Sequence, residues 1–216
     1  MNLSFDAFSS TYFIKHHNSI IGDITLNVPG EHNILNSLAA VIIGLEMGLD
    51  FETVKDGIHS YEGVRRRFEL KGIENNIMVV DDYAHHPTEV LATLNAAKAG
   101  WDRRLISVFQ PHLFSRTQEF FREFGQALIT SDIVIITDIY PAREKPLPGI
   151  TGEMIYKECI NSGHAQVSYV PDLDDVILAL DNLVIPGDLV ITLGAGNIWR
   201  YSEKYIQHLS TVNAEV

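Results

Sequence analysis

The chain has 216 residues, 46% of them hydrophobic and 20% charged, the make-up of a globular protein long enough to bury a core without disulfides or a metal staple. Its formal net charge of −12 repels a phosphate backbone and argues against a nucleic-acid partner. The single cysteine, Cys159, excludes an internal disulfide framework and fits a reducing, cytoplasmic compartment; with no basic start followed by an apolar run in residues 1–20 and no apolar stretch near the ~20 residues of a span, neither a signal peptide nor a membrane partner is expected.

The first 30 residues read as short strands: Leu3 to Phe8, Thr11 to Lys15, and Asp23 to Val28, where Ile24, Leu26 and Val28 alternate. Pro29-Gly30 breaks that pattern. A helix is expected from about Asn33 to Met47 with Ile34, Leu38, Val41 and Leu45 as its apolar stripe, and a second from Phe51 to His59, ending near Gly63. No strand follows before Arg65, so residues 1–64 read as part of a domain and residues 65–216 as another. From Phe68 onward, strand-like runs (Ile77 to Val80, Leu105 to Phe109, Ile133 to Thr137, Gln166 to Val170, Leu189 to Leu193) alternate with helical ones. The helices are placed at about Pro87 to Ala99, Ser115 to Thr130, Gly152 to Asn161, Leu173 to Leu183 and Ile198 to Leu209. Such alternation indicates an α/β fold with a mainly parallel sheet.

Ligands of open parallel sheets bind beyond the carboxyl ends of the strands, so the residues just past each run are informative. After Val80 come Asp81, Asp82, Tyr83, His85 and His86; after Phe109, Gln110 and His112 with Arg116 beyond; after Thr137, Asp138, Tyr140, Arg143 and Glu144; after Leu193, Gly194-Ala195-Gly196-Asn197. Each cluster has a second reading. His85-His86-Pro87 can simply lead into a helix whose first turn carries Glu89. Asp82 with two histidines can be read as a zinc site, although neighbours on a loop lack the usual ligand spacing and no cysteine is near. Gly194 and Gly196 let backbone approach either an anion or another chain segment. The run Arg65-Arg66-Arg67 is a solvated hinge or an anion site.

On the first helix, Asn33, Asn36, Ala40 and Gly44 fall within about 80° of one another at about 100° per residue. That small, polar face suits a flat ring whose edges a carboxamide can address. The other reading is a helix cap near Asn33 with close packing at Ala40 and Gly44.

In order and spacing, PGEHNILNSLAA (29–40), RRRFEL (65–70), DDYAHHPTE (81–89), FQPHLFSRT (109–117), YPAREKPLPG (140–149) and GAGNIW (194–199) resemble the Mur ligase family, and within it the branch that joins L-alanine to UDP-N-acetylmuramate. The resemblance covers nearly the whole chain, and its histidine-bearing segments are its most specific part. A neighbouring branch, which recycles a murein tripeptide, shares the double-histidine segment, and a non-catalytic nucleotide- or amino-acid-binding module is the reading from a different class.

The resemblance implies a Rossmann-like C-terminal amino-acid domain from residue 65, preceded in residues 1–64 by the end of an α/β ATPase domain. It implies the cofactors ATP and Mg2+, with an acyl phosphate formed from the muramate carboxylate and attacked by the alanine amine. Asn33 and Asn36 then lie near adenine, Arg67 reaches the nucleotide phosphates, and Asp82 holds the ribose hydroxyls. His85, His112 and Arg116 surround the incoming alanine and the reacting carboxylate. Two departures stand out. Leu113 occupies a position where many members carry arginine, and the sequence holds no GxxGK[ST] loop. The magnesium ligands are accordingly expected in another part of the enzyme, together with its N-terminal and central domains, and the 216 residues alone are expected to be inactive.

Overall fold

The computed structural model describes residues 4–6 and 8–212. Two compact units divide the chain: Met1–Val64 with Asn95–Asp102, and Arg65–Leu94 with Arg103–Val216.

In the first unit, β1 (Ser4–Asp6), β2 (Ser9–His16) and β3 (Ser19–Leu26) form an antiparallel sheet in that order. A type I′ two-residue hairpin turn needs positive φ at both central positions, and His17 and Asn18 supply it at 45° and 66°. The third strand therefore begins at Ser19 rather than Asp23. The strand expected from Leu3 to Phe8 is represented by β1, with Leu3 and Ala7 outside the described residues.

Helix α1 (Glu31–Glu46) starts two residues earlier than expected: Gly30, at φ 100°, is its N-cap, and the Asn33 amide donates back to Pro29 O at 2.7 Å. Asn33 itself is therefore not the cap, whereas the close packing read at Gly44 holds. Of the expected stripe, Ile34 and Val41 are buried and Leu38 and Leu45 pack half-buried on the same core, and Ser37 and Gly44 are buried beside them. Helix α2 (Phe51–His59), capped by the Asp50 carboxylate on Thr53 N–H at 2.8 Å, packs against Gly44. A Cβ at Gly44 would lie 2.7 Å from a Val54 methyl, so this position has to be glycine for the helices to pack. Tyr12, fully buried, closes the core with its hydroxyl on Ser37 Oγ at 2.5 Å.

The second unit holds a six-stranded sheet in the order β4-β5-β9-β6-β7-β8. The strands are β4 (Glu69–Glu74), β5 (Ile77–Asp82), β6 (Leu105–Phe109), β7 (Ile133–Ile136), β8 (Val167–Tyr169) and β9 (Leu189–Leu193). Every pair is parallel except β4 with β5. Strand β4 was not foreseen. It is an edge strand tied to β5 by a second two-residue hairpin, Asn75-Asn76, with φ of 54° and 60°.

Helices α3 (Pro87–Gly100), α4 (Phe114–Leu128), α5 (Glu153–Asn161), α6 (Val176–Asp181, entered through a 3-10 turn at Leu173–Asp175) and α7 (Trp199–Val212) follow the alternation. One sheet face buries Val79, Ile106, Ile135 and Val190 beneath Leu180 of α6 and Tyr205 of α7. On the other face Phe109 meets Phe124 of α4, ring centroids 4.9 Å apart. Strands β5, β6, β7 and β9 are buried throughout. Such strands read as continuous apolar runs, which is why their positions were legible.

Candidate active site at the carboxyl edge of the parallel sheet

The pairings Asp82 with Leu193, Leu193 with Phe109, and Phe109 with Ile136 put four strand ends at one level. The loops that follow them therefore share an edge. Arg103 and Arg104, by contrast, precede β6 and belong to the opposite edge, where Arg104 pairs with Asp188 at 2.6 Å and Arg103 donates to Asn76 O at 2.8 Å.

Within the arginine run, neighbouring residues have different surroundings. Arg66, held at φ 61°, donates to Asp81 at 2.9 Å and to Gly194 O at 2.5 Å, and lies over the Tyr83 ring at 4.9 Å. Asp81 is fully buried and also accepts from Thr192 Oγ1 at 2.6 Å. Arg66 thus pins together the ends of β5 and β9. Arg67 keeps a side chain about half exposed, with Glu89 at 4.0 Å, and Arg65 is exposed as well.

Asp82 is 4% exposed, and its two oxygens accept the N–H groups of Phe68 at 2.8 Å and Ala84 at 2.7 Å. Burial pushes its carboxyl up to about 6 against those two donors. The glycines after β9 also have a resolved purpose. A Cβ at Gly194 would lie 2.6 Å from Gln110 O, and one at Gly196 would lie 2.3 Å from Gln110 Oε1 and 2.6 Å from the Tyr140 ring. Their small size admits neighbouring chain, the second of the two readings offered for that loop.

His85, His112 and Arg116 come together. The two imidazoles stand edge to face with centroids 5.9 Å apart. Nη1 of Arg116 lies 3.5 Å from both His85 O and His112 Nδ1. His85 Nδ1 faces two acceptors, Tyr83 O at 3.0 Å and Glu89 Oε2 at 3.2 Å, so it carries the proton and leaves the Nε2 lone pair free in the neutral ring. His112 has the opposite polarity, because its Nδ1 accepts from Arg116. Burial, then the Arg116 guanidinium, then His85 push the His112 imidazole below its ordinary value, with Glu144 opposing them. Its ring lies nearly parallel to that of Tyr140, at 13°.

His86 points elsewhere: its ring meets Phe120 at 5.0 Å and its Nδ1 accepts from Thr88 N–H. With Asp82 engaged by backbone and His86 turned to Phe120, the zinc reading of this segment falls away, and no metal-holding cluster occurs among the described residues. Pro87 opens α3, and Glu89 accepts from His85 N–H at 3.0 Å and His86 N–H at 3.3 Å. Against burial, those bonds and the His85 and Arg67 charges hold Glu89 below the usual carboxylate range.

In the first unit, a cavity of about 500 Å3 is lined by Asn33, Asn36, Ala40 and Gly44 of α1 and by Val54 and Gly57 of α2. The face singled out on α1 thus borders an open, largely apolar space. The sequence marks Gln110 only as a strand-end residue, and its contacts give it a structural role. Gln110, 3% exposed, bridges Asn197 at 2.9 Å and Ile198 N–H at 3.1 Å.

The family model described as "Mur ligase, glutamate ligase domain" matches residues 66–196. The chain is 49% identical over 201 residues to a UDP-N-acetylmuramate–L-alanine ligase of Geotalea uraniireducens, covering 93% of this chain and 44% of that one. With the ligase of the same name from Salinibacter ruber it shares 50% identity over 190 residues, covering 88% and 40%. The chain spans less than half the length of these curated relatives. Among solved structures, a UDP-N-acetylmuramate–alanine ligase of Thermotoga maritima aligns with a TM-score of 0.84 at 26% identity, over 98% of this chain and 45% of that one. A murein peptide ligase of Psychrobacter arcticus aligns with a TM-score of 0.65 at 25% identity, over 95% and 42%. With a family model over the strands and loops of the second unit, and relatives near half identical along almost all of its length, the chain belongs to the Mur ligase family.

Proposed function

We propose that this chain is part of a cytoplasmic, ATP-dependent ligase that joins L-alanine to UDP-N-acetylmuramate in peptidoglycan precursor synthesis. The observation that carries the proposal is the His85–His112–Arg116 cluster on the carboxyl edge of the parallel sheet. The guanidinium of Arg116 offers a planar fork to the alanine carboxylate. Nε2 of His85, its other nitrogen already committed, is placed to take the proton that the attacking amine releases. The new C–N bond forms as the acyl carbon loses its phosphate. Relatives named UDP-N-acetylmuramate–L-alanine ligase, 49% and 50% identical to this chain, support alanine as the acceptor.

Asn33 and Asn36 address an adenine edge from the cavity on α1, and exposed Arg67 meets nucleotide phosphate. Asp82 reaches ribose hydroxyls only through lone pairs left over from Phe68 and Ala84. The donor set here fits no magnesium site, so the metal ligands are assigned outside the described residues. Residues 1–64 are read as the end of a central ATP-binding domain and residues 65–216 as the amino-acid domain. The exposed Leu35, Ile42 and Ile43 on α1 support the first of these, because a helix face of that kind is normally covered. The other domains of the same enzyme are then its partners. Among the described residues no helix is long and apolar enough to cross a membrane.

The test is phosphate release by the full-length reading frame supplied with ATP, UDP-N-acetylmuramate and either alanine or a murein tripeptide. Turnover with alanine is expected, and turnover with tripeptide alone would overturn the substrate assignment. Lacking a phosphate cradle, the 216-residue chain should match a no-protein control; alanine-dependent ADP formation by it would show the catalytic parts to be misplaced.

A further inference from the structure

Helix α4 begins without a cap of its own. Its N-cap is Leu113, at φ 72° and ψ 135°, whose side chain can accept nothing. The missing acceptor comes from another element. Glu144, 29 residues beyond Ser115, accepts Ser115 N–H at 3.0 Å through one carboxylate oxygen and the Ser115 hydroxyl through the other. Those bonds, with the Phe114 N–H and the His112 charge, hold Glu144 below the usual carboxylate range.

The loop that brings Glu144 there is fastened to the same stretch of chain. Tyr140 N–H donates to Pro111 O at 2.8 Å, and Leu113 N–H donates to Tyr140 O at 3.0 Å. A turn with Glu144 N–H on Pro141 O at 2.9 Å then aims the carboxylate at α4. Pro111–Ser115 is therefore clamped at both ends by 140–144. His112 lies inside the clamp and Arg116 immediately beyond it.

We propose that Glu144 is a positioning residue for the ligase reaction: it serves as the N-cap of α4, lent from the loop after β7, and by holding Ser115 it keeps Arg116 and His112 in place against His85. The proposal rests on the function proposed above. It also accounts for Leu113: with the helix start held from outside, the capping position is free of the need for a polar side chain. The positive end of the α4 dipole is already met by Glu144, so Arg116, and not the free helix end, is the group left to attract a substrate carboxylate.

Two sets of measurements separate the clamp from the reaction. In the 216-residue chain, amide exchange at Ser115 and the NMR titration of His112 are followed in Glu144→Ala, Glu144→Gln and Ser115→Ala. Glu144→Ala should speed Ser115 amide exchange about tenfold, as expected for loss of a charge-assisted acceptor. Glu144→Gln, whose amide oxygen still accepts, should retain most of the protection. Both Glu144 variants should lower the His112 midpoint further, because the charge of Glu144 opposes burial, Arg116 and His85 there; Ser115→Ala should not. Unchanged Ser115 exchange in Glu144→Ala would overturn the clamp.

In the full-length enzyme, Glu144→Ala should raise the alanine KM about tenfold while the ATP KM stays within about twofold. Adding Ser115→Ala to it should worsen the KM by no more than about twofold, since one contact cannot be lost twice. Effects that multiply, or equal increases in both KM values, would overturn the positioning role. A full-length enzyme without alanine-dependent turnover would overturn the proposed function instead, and the exchange and titration data would still decide the clamp.

Discussion

Arg116 occupies the first turn of α4, and at 3.5 Å its contacts with His85 O and His112 Nδ1 are at the long limit of hydrogen bonding. Most of its donors therefore remain for a ligand. Among the described residues it makes no ion pair with Glu119 or Glu123, the partners a purely surface arginine would take here. A hydrogen bond to a charged group is worth about 1.5–3 kcal/mol. In the full-length enzyme Arg116→Ala should accordingly raise the alanine KM roughly tenfold to a hundredfold, with the ATP KM little changed. Arg116→Lys should recover little of it, because an ammonium lacks the planar fork, and Leu113 next to the site cannot substitute. An alanine KM within about twofold of the parent would remove Arg116 from the site.

Asp82 makes a different prediction. Its folded value of about 6 lies above the ordinary 3.8, so between those values the folded chain holds a proton that the unfolded chain has released. Its contribution to stability is thus fully present below about pH 4 and is lost as pH rises through about 6, on the order of 3 kcal/mol at about 1.4 kcal/mol per unit. The difference in unfolding free energy between the parent and Asp82→Asn should decline over that window and flatten above it. A difference independent of pH would mean that the carboxyl titrates normally.

Between elements, the close approaches are made at glycines that sequence alone leaves unranked. Gly152, the N-cap of α5, has an ordinary φ of −60°, yet an added Cβ would meet Thr137 O at 2.1 Å. Its amide also donates to Asp138 at 3.1 Å. Since the obstacle is backbone and cannot rotate aside, Gly152→Ala should cost about 1–3 kcal/mol, read from urea midpoints at constant m. Gly57 in α2 is the control. Nothing lies within 4 Å of a Cβ there, so Gly57→Ala should stabilise by about 0.4–1 kcal/mol through the unfolded chain. Equal and opposite shifts to these would reverse the assignment of which glycine is needed for contact and which is not.

For the molecule as a whole, the two units differ in how much they bury. The second has a central sheet whose β5, β6, β7 and β9 are buried at every position. The first relies on Tyr12, Ile24, Leu26, Ile34, Val41 and their neighbours while leaving Leu35, Ile42 and Ile43 largely exposed. Small cores bury a smaller share of the surface that unfolding exposes, and separate compact units need not melt together. Denaturant should therefore unfold the chain in two steps. In residue-resolved hydrogen exchange, the amides of β2 and β3 should open at lower urea than those of β6 and β9. A single transition with coincident exchange across both sheets would show that the units unfold as one.

What the sequence determined by itself was mostly local. Apolar runs such as Leu105–Phe109 and Leu189–Leu193 report their own burial, so the strands of a parallel sheet could be placed, and with them the polar residues just past their ends. The motif order from PGEHN to GAGNIW was enough to suggest the family. Strand β4 escaped because an edge strand carrying Glu69, Lys71, Gly72 and Glu74 shows no apolar run; its one signal was Asn75-Asn76 before Ile77, a turn that needs positive φ twice. The burial of Gly44 beside the expected α1 stripe was not legible because it is set by Val54 packing there, a contact absent from the helix's own periodicity. Only tertiary structure decided that β9, last in the chain, lies between β5 and β6, and that of two adjacent arginines Arg66 is pinned while Arg67 is open. It alone brought Glu144 to Ser115. The physical reason is common to all of these: a periodicity records how one segment meets solvent, whereas which donor meets which acceptor is settled by strands and loops far apart in the chain, after the sheet has brought their ends together.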